Sequence, residues 1–316
     1  MPPLRHGPLP PLAERLRPPD LAPQRVAACL GLCSDTHLPD RCLALPQSLS
    51  DLFRGLDLIL HAGDVGQLAV LDRLSALAPT VAVHGNDECE EETPRELPYQ
   101  QVVAVAGQRI VLTHGHEPDP AREQAARAQD AWTPKLARRA AFGHRAGARI
   151  VVYGHTHIPT SVLHDGVWLI NPGAIASAGL DRRQRRQTVA LLYLRDDGHP
   201  CTVHVDLAQP DRPCHVQIDW AAGFRAAQAQ FEESILAPDL RADYAPLRRI
   251  SRAFDATTTA AIRAAVREVA LRCWAGEQET ITRADLLDAL RRAPGLAPAA
   301  RAELLSLLES PPSGGA

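Results

Sequence analysis

Five apolar stretches of this chain each run out into histidine, aspartate or asparagine beside a small residue. That recurrence limits what the chain can fold into more than any other feature. Val26–Cys33 leads into "SDTH", with Asp35 and His37, and "LDLIL" leads into "HAGD", with His61 and Asp64. "TVAV" leads into "HGND", with His84, Asn86 and Asp87. "RIVL" ends in "THGH", with His114 and His116, and "RIVVY" in "GHTH", with His155 and His157. Short apolar runs closed by turn residues read as buried strands. Between the first three lie "LPQSLSDLFRGL", a short helix, and "QLAVLDRLSALA", whose apolar residues at 68, 71, 74 and 77 form a helical stripe. Strand, helix, strand, helix, strand argues for parallel strands with crossover helices. In such sheets the carboxyl ends of the strands line one crevice, where ligands bind.

The pattern then changes. "QVVAVAGQRIVLTHGH" reads as a hairpin turning at Gly107-Gln108. Residues 119–147 are rich in Ala and Arg and mostly helical, with interruptions expected at Pro134 and Gly143. Two further hairpins turn at Asp165-Gly166 and Asp197-Gly198. Strands on both sides of helices predict an α/β fold: a two-sheet β-sandwich flanked by helices, with a C-terminal helical appendix. Segments after residue 208 are helical by composition and spacing, and Thr282 with Asp285 forms a capping-box signal. The expected divisions are a Pro-rich, extended lead-in over 1–24, a main domain over 25–208 and a helical extension over 209–316. The tail "PPSGGA" is disordered by composition.

Composition bounds the function. With 316 residues, 45% hydrophobic and 22% charged, the chain is an ordinary soluble length for one large domain or two. A net charge of −3 gives no basic footprint for nucleic acid or an anionic membrane. The seven cysteines are odd in number and include no Cys-x-x-Cys, so a disulfide framework or cysteine zinc knuckle is not expected and a reducing, cytoplasmic setting is. The N-terminus lacks the apolar core of a signal peptide, and no apolar run approaches transmembrane length. Lys135 is the single lysine, and Asn86 and Asn171 are the two asparagines; a residue type the composition avoids is more informative where it does occur.

Imidazoles and carboxylates crowded into one crevice would repel or stay unsatisfied without a cation. Together they suit zinc, manganese, iron or nickel. Seven ligand side chains exceed the needs of one tetrahedral ion and suit two. Two ions need a bridging ligand, a role a carboxylate can fill. Ion pairs ~3.5–4 Å apart clamp the attacking and leaving oxygens of phosphoryl chemistry. The residues themselves therefore point to a dinuclear metal hydrolase.

At these blocks, "SDTH…GD…GN…HGH…GHTH", the chain resembles the calcineurin-like metallophosphoesterase superfamily, closest to the small phosphodiesterase branch that also includes the retromer scaffold subunit. The resemblance spans about residues 26–207 and rests on five blocks in order. It implies a two-sheet sandwich and a small phosphorylated substrate, either a phosphodiester or a phosphomonoester. It also implies that Asp35, His37 and His157 hold one metal, that Asn86, His114 and His155 hold the other, and that Asp64 bridges. A hydroxide shared by the ions would attack phosphorus in line. "NPGA", Asn171–Ala174, matches the family's Asn-Pro-Gly-Ser block except at its last residue and reads as a structural turn. The chain departs at Asp87, where many members carry a histidine general acid. Asp87 and His116 are then the candidate proton donors, with His84 behind them, and Asn86 and His84 the candidate substrate contacts. The retromer relative implies an alternative, a catalytically weak or inactive scaffold, and the C-terminal helices offer a surface for a protein partner or self-association.

Other features read as structural. His61 is expected in the core or behind the ligands, and Cys29 and Cys33 in the core. His6, His144, His164, His199, His204 and His215 default to surface or turn. The acidic run Asp87 to Glu96 reads as a solvated loop, and "DRRQRRQ", Asp181 to Gln187, as an exposed loop with a lesser prospect of contacting phosphate.

Overall fold

The computed structural model describes residues 7–88, 96–241, 244, 247 and 254–309. Strands β1 (Val26–Cys33), β2 (Leu58–His61) and β3 (Thr80–Ala82) run parallel. The second sheet is built from β4 (Gln100–Val105), β5 (Gln108–Thr113), β6 (Ile150–Tyr153), β7 (Thr160–His164) and β8 (Val167–Asn171), in the order β4-β5-β6-β8-β7. Its three inner strands are parallel and its two edge strands antiparallel to their neighbours. After the short β9 (Arg182–Gln184), β10 (Thr188–Arg195) and β11 (Pro200–Asp206) complete the first sheet as β11-β10-β1-β2-β3.

Successive side chains on a strand point to opposite faces, and this divides the core into layers. Ala28, Leu30 and Leu32 of β1 fill the space between the sheets with Ala190, Leu192 and Leu194 of β10, Ile110 and Leu112 of β5, and Ile150 and Val152 of β6. The alternate residues of the first sheet, Cys29, Cys33, Val189, Leu191 and Tyr193, pack with Leu16, Leu49, Leu52, Phe53 and Leu74 from the helices Pro11–Leu16, Gln47–Phe53 and Ala69–Ser75. Those of the second sheet, Val111, Val151, Tyr153 and Leu169, pack with the helices Trp132–Ala146 and Phe224–Phe231. Strands covered on both faces read as unbroken apolar runs, which is why β1 showed no alternation in the sequence. The fold is the two-sheet sandwich flanked by helices that the sequence implies.

Four expectations are corrected. The lead-in is not wholly extended: Pro11–Leu16 is a helix whose Ala13 and Leu16 are buried, and the Tyr193 hydroxyl donates to Ala13 O at 2.7 Å. Pro134 and Gly143 do not interrupt their helix. Pro134 lies in its first turn, where an N–H has no intrahelical partner to lose. Gly143 lies where the helix presses on the sheet, since a Cβ there would stand 2.8 Å from Val167 Cγ1 and 2.9 Å from Ala148 O. The boundary expected at 208/209 also moves. The compact units are 1–177 with 184–232, and 178–183 with 233–316. Residues 224–231 stay with the sandwich because Ala227 and Phe231 are buried among Val151, Leu169 and Trp132, and Arg185 N donates to Phe231 O at 2.7 Å. "DRRQRRQ" is accordingly a half-buried strand at its centre rather than an exposed loop.

The second unit has its own core. Ile235, Leu240, Ile262, Val269, Ile281, Leu286, Leu290, Leu304 and Leu308 bury one another among the helices Ala256–Trp274, Arg283–Arg292 and Pro298–Glu309. The Asp255 side chain caps the first of these, and the Thr282/Asp285 capping box opens the second. Among the described residues, no helix is long and apolar enough to cross a membrane.

Candidate metal centre

The loops that follow β1, β2, β3, β5 and β6 meet at one end of the sandwich. Backbone bonds stitch the first two together: Asp35 N donates to Gly63 O and His37 N to Asp64 O, each at 3.0 Å. The Thr36 hydroxyl donates to Val65 O at 2.7 Å and lies 3.0 Å from His61 Nε2. His61 is thus a buried strut behind the loops. Gly154 lets the β6 loop close on the others, since a Cβ there would lie 2.7 Å from Ala62 O and 2.9 Å from Asp35 Oδ2. Asp35, His37, Asp64, His155 and His157 all adopt left-handed backbone, with φ of 53°, 43°, 52°, 71° and 58°. Such conformations cost about 1–3 kcal/mol each for non-glycine residues and persist where the surroundings over-determine them. Ala106 and Asp165, which share the conformation, stand in hairpin turns; the other five stand in these loops.

The side chains converge. Asp64 Oδ2 lies 3.4 Å from His37 Nε2 and 3.3 Å from His114 Nε2, while its Oδ1 accepts from Asp87 N at 2.9 Å. Asp35 Oδ2 accepts from the Ser34 hydroxyl at 2.6 Å and from His155 N at 3.1 Å. Its Oδ1 faces His157 Nε2 at 3.1 Å and His37 Nε2 at 3.9 Å. Ligand atoms of Asp35, His37 and His157 lie within 4.8 Å of one another, as do those of Asp35, Asp64 and His114. Asn86 Oδ1 sits 3.2 Å from His114 Nε2, and the other ring nitrogen of His114 bonds Ala62 O at 2.8 Å. His155 stands at the edge. Its ring meets that of His114 edge-on at 5.0 Å, but its Nε2 lies 2.8 Å from Glu123 Oε1.

The electrostatics follow from burial and opposite charge. Burial would raise the carboxyl of Asp64, but His114 and His37 hold it well below the usual range. Burial likewise opposes the lowering of Asp35, but His157 beside it prevails and holds the carboxyl below the usual range. Burial lowers His114, yet Asp64 beside it brings it up to about 9; His157 is raised by Asp35 against the same penalty. Burial, with Arg41 adding, pushes His37 well down. Burial takes His155 to about 4 against the opposing pull of Glu123.

These residues fit a divalent metal. Asp35 Oδ1 is buried and, despite the approach of His157 Nε2, receives no hydrogen bond; His157 Nδ1 receives none either. Buried carboxylate oxygens are otherwise hydrogen-bonded, and a buried carboxylate oxygen facing ring nitrogens is a donor set that a cation satisfies.

The candidate accessory residues stand beside the centre, each engaged by neighbours. Asp87 does not present a free acid, because its carboxylate is ion-paired with Arg41. His116 is buried, its carbonyl accepts from the Tyr99 hydroxyl, and its ring packs beside those of His114, Tyr99 and His84, with burial and then His114 lowering it to about 3. His84 Nδ1 bonds Gly85 O at 2.9 Å. The acidic run starts with two engaged carboxylates: after the ion-paired Asp87, Glu88 accepts from Gly66 N at 2.9 Å and Gly85 N at 2.7 Å, clamping the β2 and β3 loops. Residues 89–95, Cys89 among them, lie outside the described residues.

Sequence reasoning missed Arg41, Glu88 and Glu123. An arginine in an arginine-rich chain and a glutamate in an Ala/Arg-rich helix carry no local marker. It also misread His204, which is buried in β11 and bonds Asn171 O at 2.8 Å. Asn171 in turn donates to Gly154 O at 2.8 Å and to the Thr156 hydroxyl at 3.0 Å, so the "NPGA" turn shapes the loop that carries His155 and His157.

The blocks that form this centre fall within residues 29–197, which match the calcineurin-like phosphoesterase superfamily domain. A "Probable metallophosphoesterase" of Methanothermobacter thermautotrophicus is 32% identical over 145 residues, 46% of this chain and 76% of the relative. Phosphodiesterase YfcE of Escherichia coli is 30% identical over 113 residues, 34% of this chain and 50% of that protein. The crystal structure of wild-type Vps29 from Entamoeba histolytica complexed with zinc aligns at a TM-score of 0.42 and 23% identity, covering 57% of this chain and 99% of that one. With more than half its length matched to one family and a third of the aligned residues shared with the Methanothermobacter relative, this chain belongs to the calcineurin-like phosphoesterase superfamily.

Proposed function

We propose that the protein is a dinuclear metal-dependent phosphoesterase that hydrolyses a phosphodiester or phosphomonoester. The observation that carries this reading is the position of Asp64: one carboxylate oxygen faces His37 Nε2 at 3.4 Å and His114 Nε2 at 3.3 Å, so it can serve two ions at once. Asp35, His37 and His157 would hold one ion, Asn86, His114 and His155 the other. Bound divalent ions supply a nucleophile at neutral pH by acidifying water, and they neutralise charge on the phosphate.

The chain's own residues do the remainder. Ala62 O engages His114 Nδ1 and so leaves Nε2 as the ligand nitrogen. Ser34 and His155 N hold Asp35 Oδ2, which keeps Oδ1 turned inward. Neither candidate proton donor is held as an acid, since Asp87 accepts from Arg41 and burial lowers His116 to about 3. The reading therefore favours esters whose leaving group departs without full protonation, such as aryl esters.

The test is to strip the protein with chelator, reload it with manganese, zinc, iron or nickel, and assay aryl monoesters and diesters alongside metal content. Two ions per chain with hydrolysis is the expected result. A stoichiometry of one, or loaded protein inert on every ester, would overturn it and favour a partner-binding role.

A further inference from the structure

The guanidinium of Arg41 lies over the centre without belonging to any ligand set. It is 7% exposed, and its backbone N–H donates to His37 O at 2.9 Å, which ties it to the "SDTH" loop. One terminal nitrogen, Nη1, lies 3.3 Å from His37 Nε2 and 3.4 Å from Ser177 O. The other, Nη2, is ion-paired with Asp87 Oδ2, and Nε lies 3.5 Å from Asp40 Oδ2. Asp87 is itself hung from the centre, because its backbone N–H donates to Asp64 Oδ1 at 2.9 Å. Arg41 thus spans from a candidate ligand nitrogen to the loop beside the candidate bridging carboxylate.

A guanidinium this close to a metal-ligating imidazole adds positive charge beside a cation. Such a position is tolerable where an anion lies between or beside them. Asp87 is one such anion, and its side chain is 36% exposed, so solvent can take it up when it leaves. A phosphate ester entering the centre is the other. The planar fork of arginine pairs with two phosphate oxygens at once, as it does with a carboxylate.

Resting on the phosphoesterase reading, we infer that Arg41 binds the non-bridging oxygens of the substrate phosphate and that Asp87 is its counter-ion at rest, displaced when substrate enters. Asp87 thereby competes with substrate for Arg41.

Calorimetric binding of inorganic phosphate to the metal-loaded protein tests this, with metal content measured in parallel. Arg41→Gln should weaken phosphate binding about tenfold or more, the loss of a charge-assisted pair, with both ions retained. Asp87→Asn should act in the opposite direction and tighten phosphate several-fold. Arg41→Lys should restore binding only in part, since an ammonium lacks the fork. If Arg41→Gln keeps phosphate affinity within twofold at full metal content, the inference is overturned. If that variant fails to fold, Asp87→Asn decides, and unchanged or weaker phosphate binding overturns the inference. Ester hydrolysis by the wild-type protein is scored separately, so inert protein that still shows the opposed shifts would sink the reaction while leaving the phosphate site standing.

Discussion

His155 and Glu123 face each other across 2.8 Å, Nε2 to Oε1, and the glutamate is fixed at its other oxygen by Glu117 N at 2.8 Å. With Nε2 engaged, Nδ1 is the ring nitrogen left for an ion. Carboxylates behind metal-ligating histidines set ring orientation, and losing one costs about 10–100-fold in metal affinity. Glu123→Ala should weaken one of two ions by that factor and leave the other unchanged, with Glu123→Gln in between. Titration calorimetry with manganese would separate the two events; equal weakening of both, or of neither, contradicts the role.

Asp64→Ala removes the oxygen shared between His37 and His114. The expected outcome is loss of both ions by elemental analysis, together with loss of turnover. A variant that still carries one ion would show that Asp64 serves a single metal.

His204 provides a pH dependence away from the ligands. Burial lowers it to about 4, although its bond to Asn171 O pulls the other way. An unfolded histidine titrates near ~6.5. Between these values the unfolded chain binds the proton and the folded one does not. This contribution to stability is therefore complete above about pH 6.5 and lost as the pH falls through about 4, up to ~3 kcal/mol in all. Denaturant unfolding of wild type and His204→Gln in chelator, at pH 7.5 and pH 4.5, should show a smaller acid loss in the variant. Equal losses would refute the assignment.

The unit boundary is also open to measurement. A chain ending at residue 232 keeps Ala227 and Phe231 in the layer beside β6 and β8, and one ending at 208 removes them. Losing a buried phenylalanine costs ~3–5 kcal/mol, so the shorter chain should melt roughly 10 °C lower. Coincident melting curves would show that 209–232 contributes nothing to the sandwich.

Much of this architecture was readable in advance because it is written in local signals. The strands declared themselves by unbroken apolar runs, and the centre by Asp35, His37, Asp64, His114, His155 and His157 at their ends. The pairings that govern the centre's behaviour were not readable. Arg41 reaches Asp87 over 46 positions and Glu123 reaches His155 over 32, and neither separation leaves a periodicity. His204 was misjudged for a related reason. Alternation in β11 puts it opposite Ala190, on the face turned toward the other sheet, but only the crossing of the Asn171 turn explains why a histidine is tolerated there.

One bond described above ties chemistry to survival. Asp35, at the end of a first-sheet strand, receives the backbone N–H of His155, at the end of a second-sheet strand. Ions gripped by both loops would then rivet the open edge of the sandwich, stabilising the folded chain in proportion to the logarithm of their free concentration. Metal starvation would shorten the lifetime of the protein against proteases as well as stopping its turnover, so its abundance would track metal supply without any dedicated sensor.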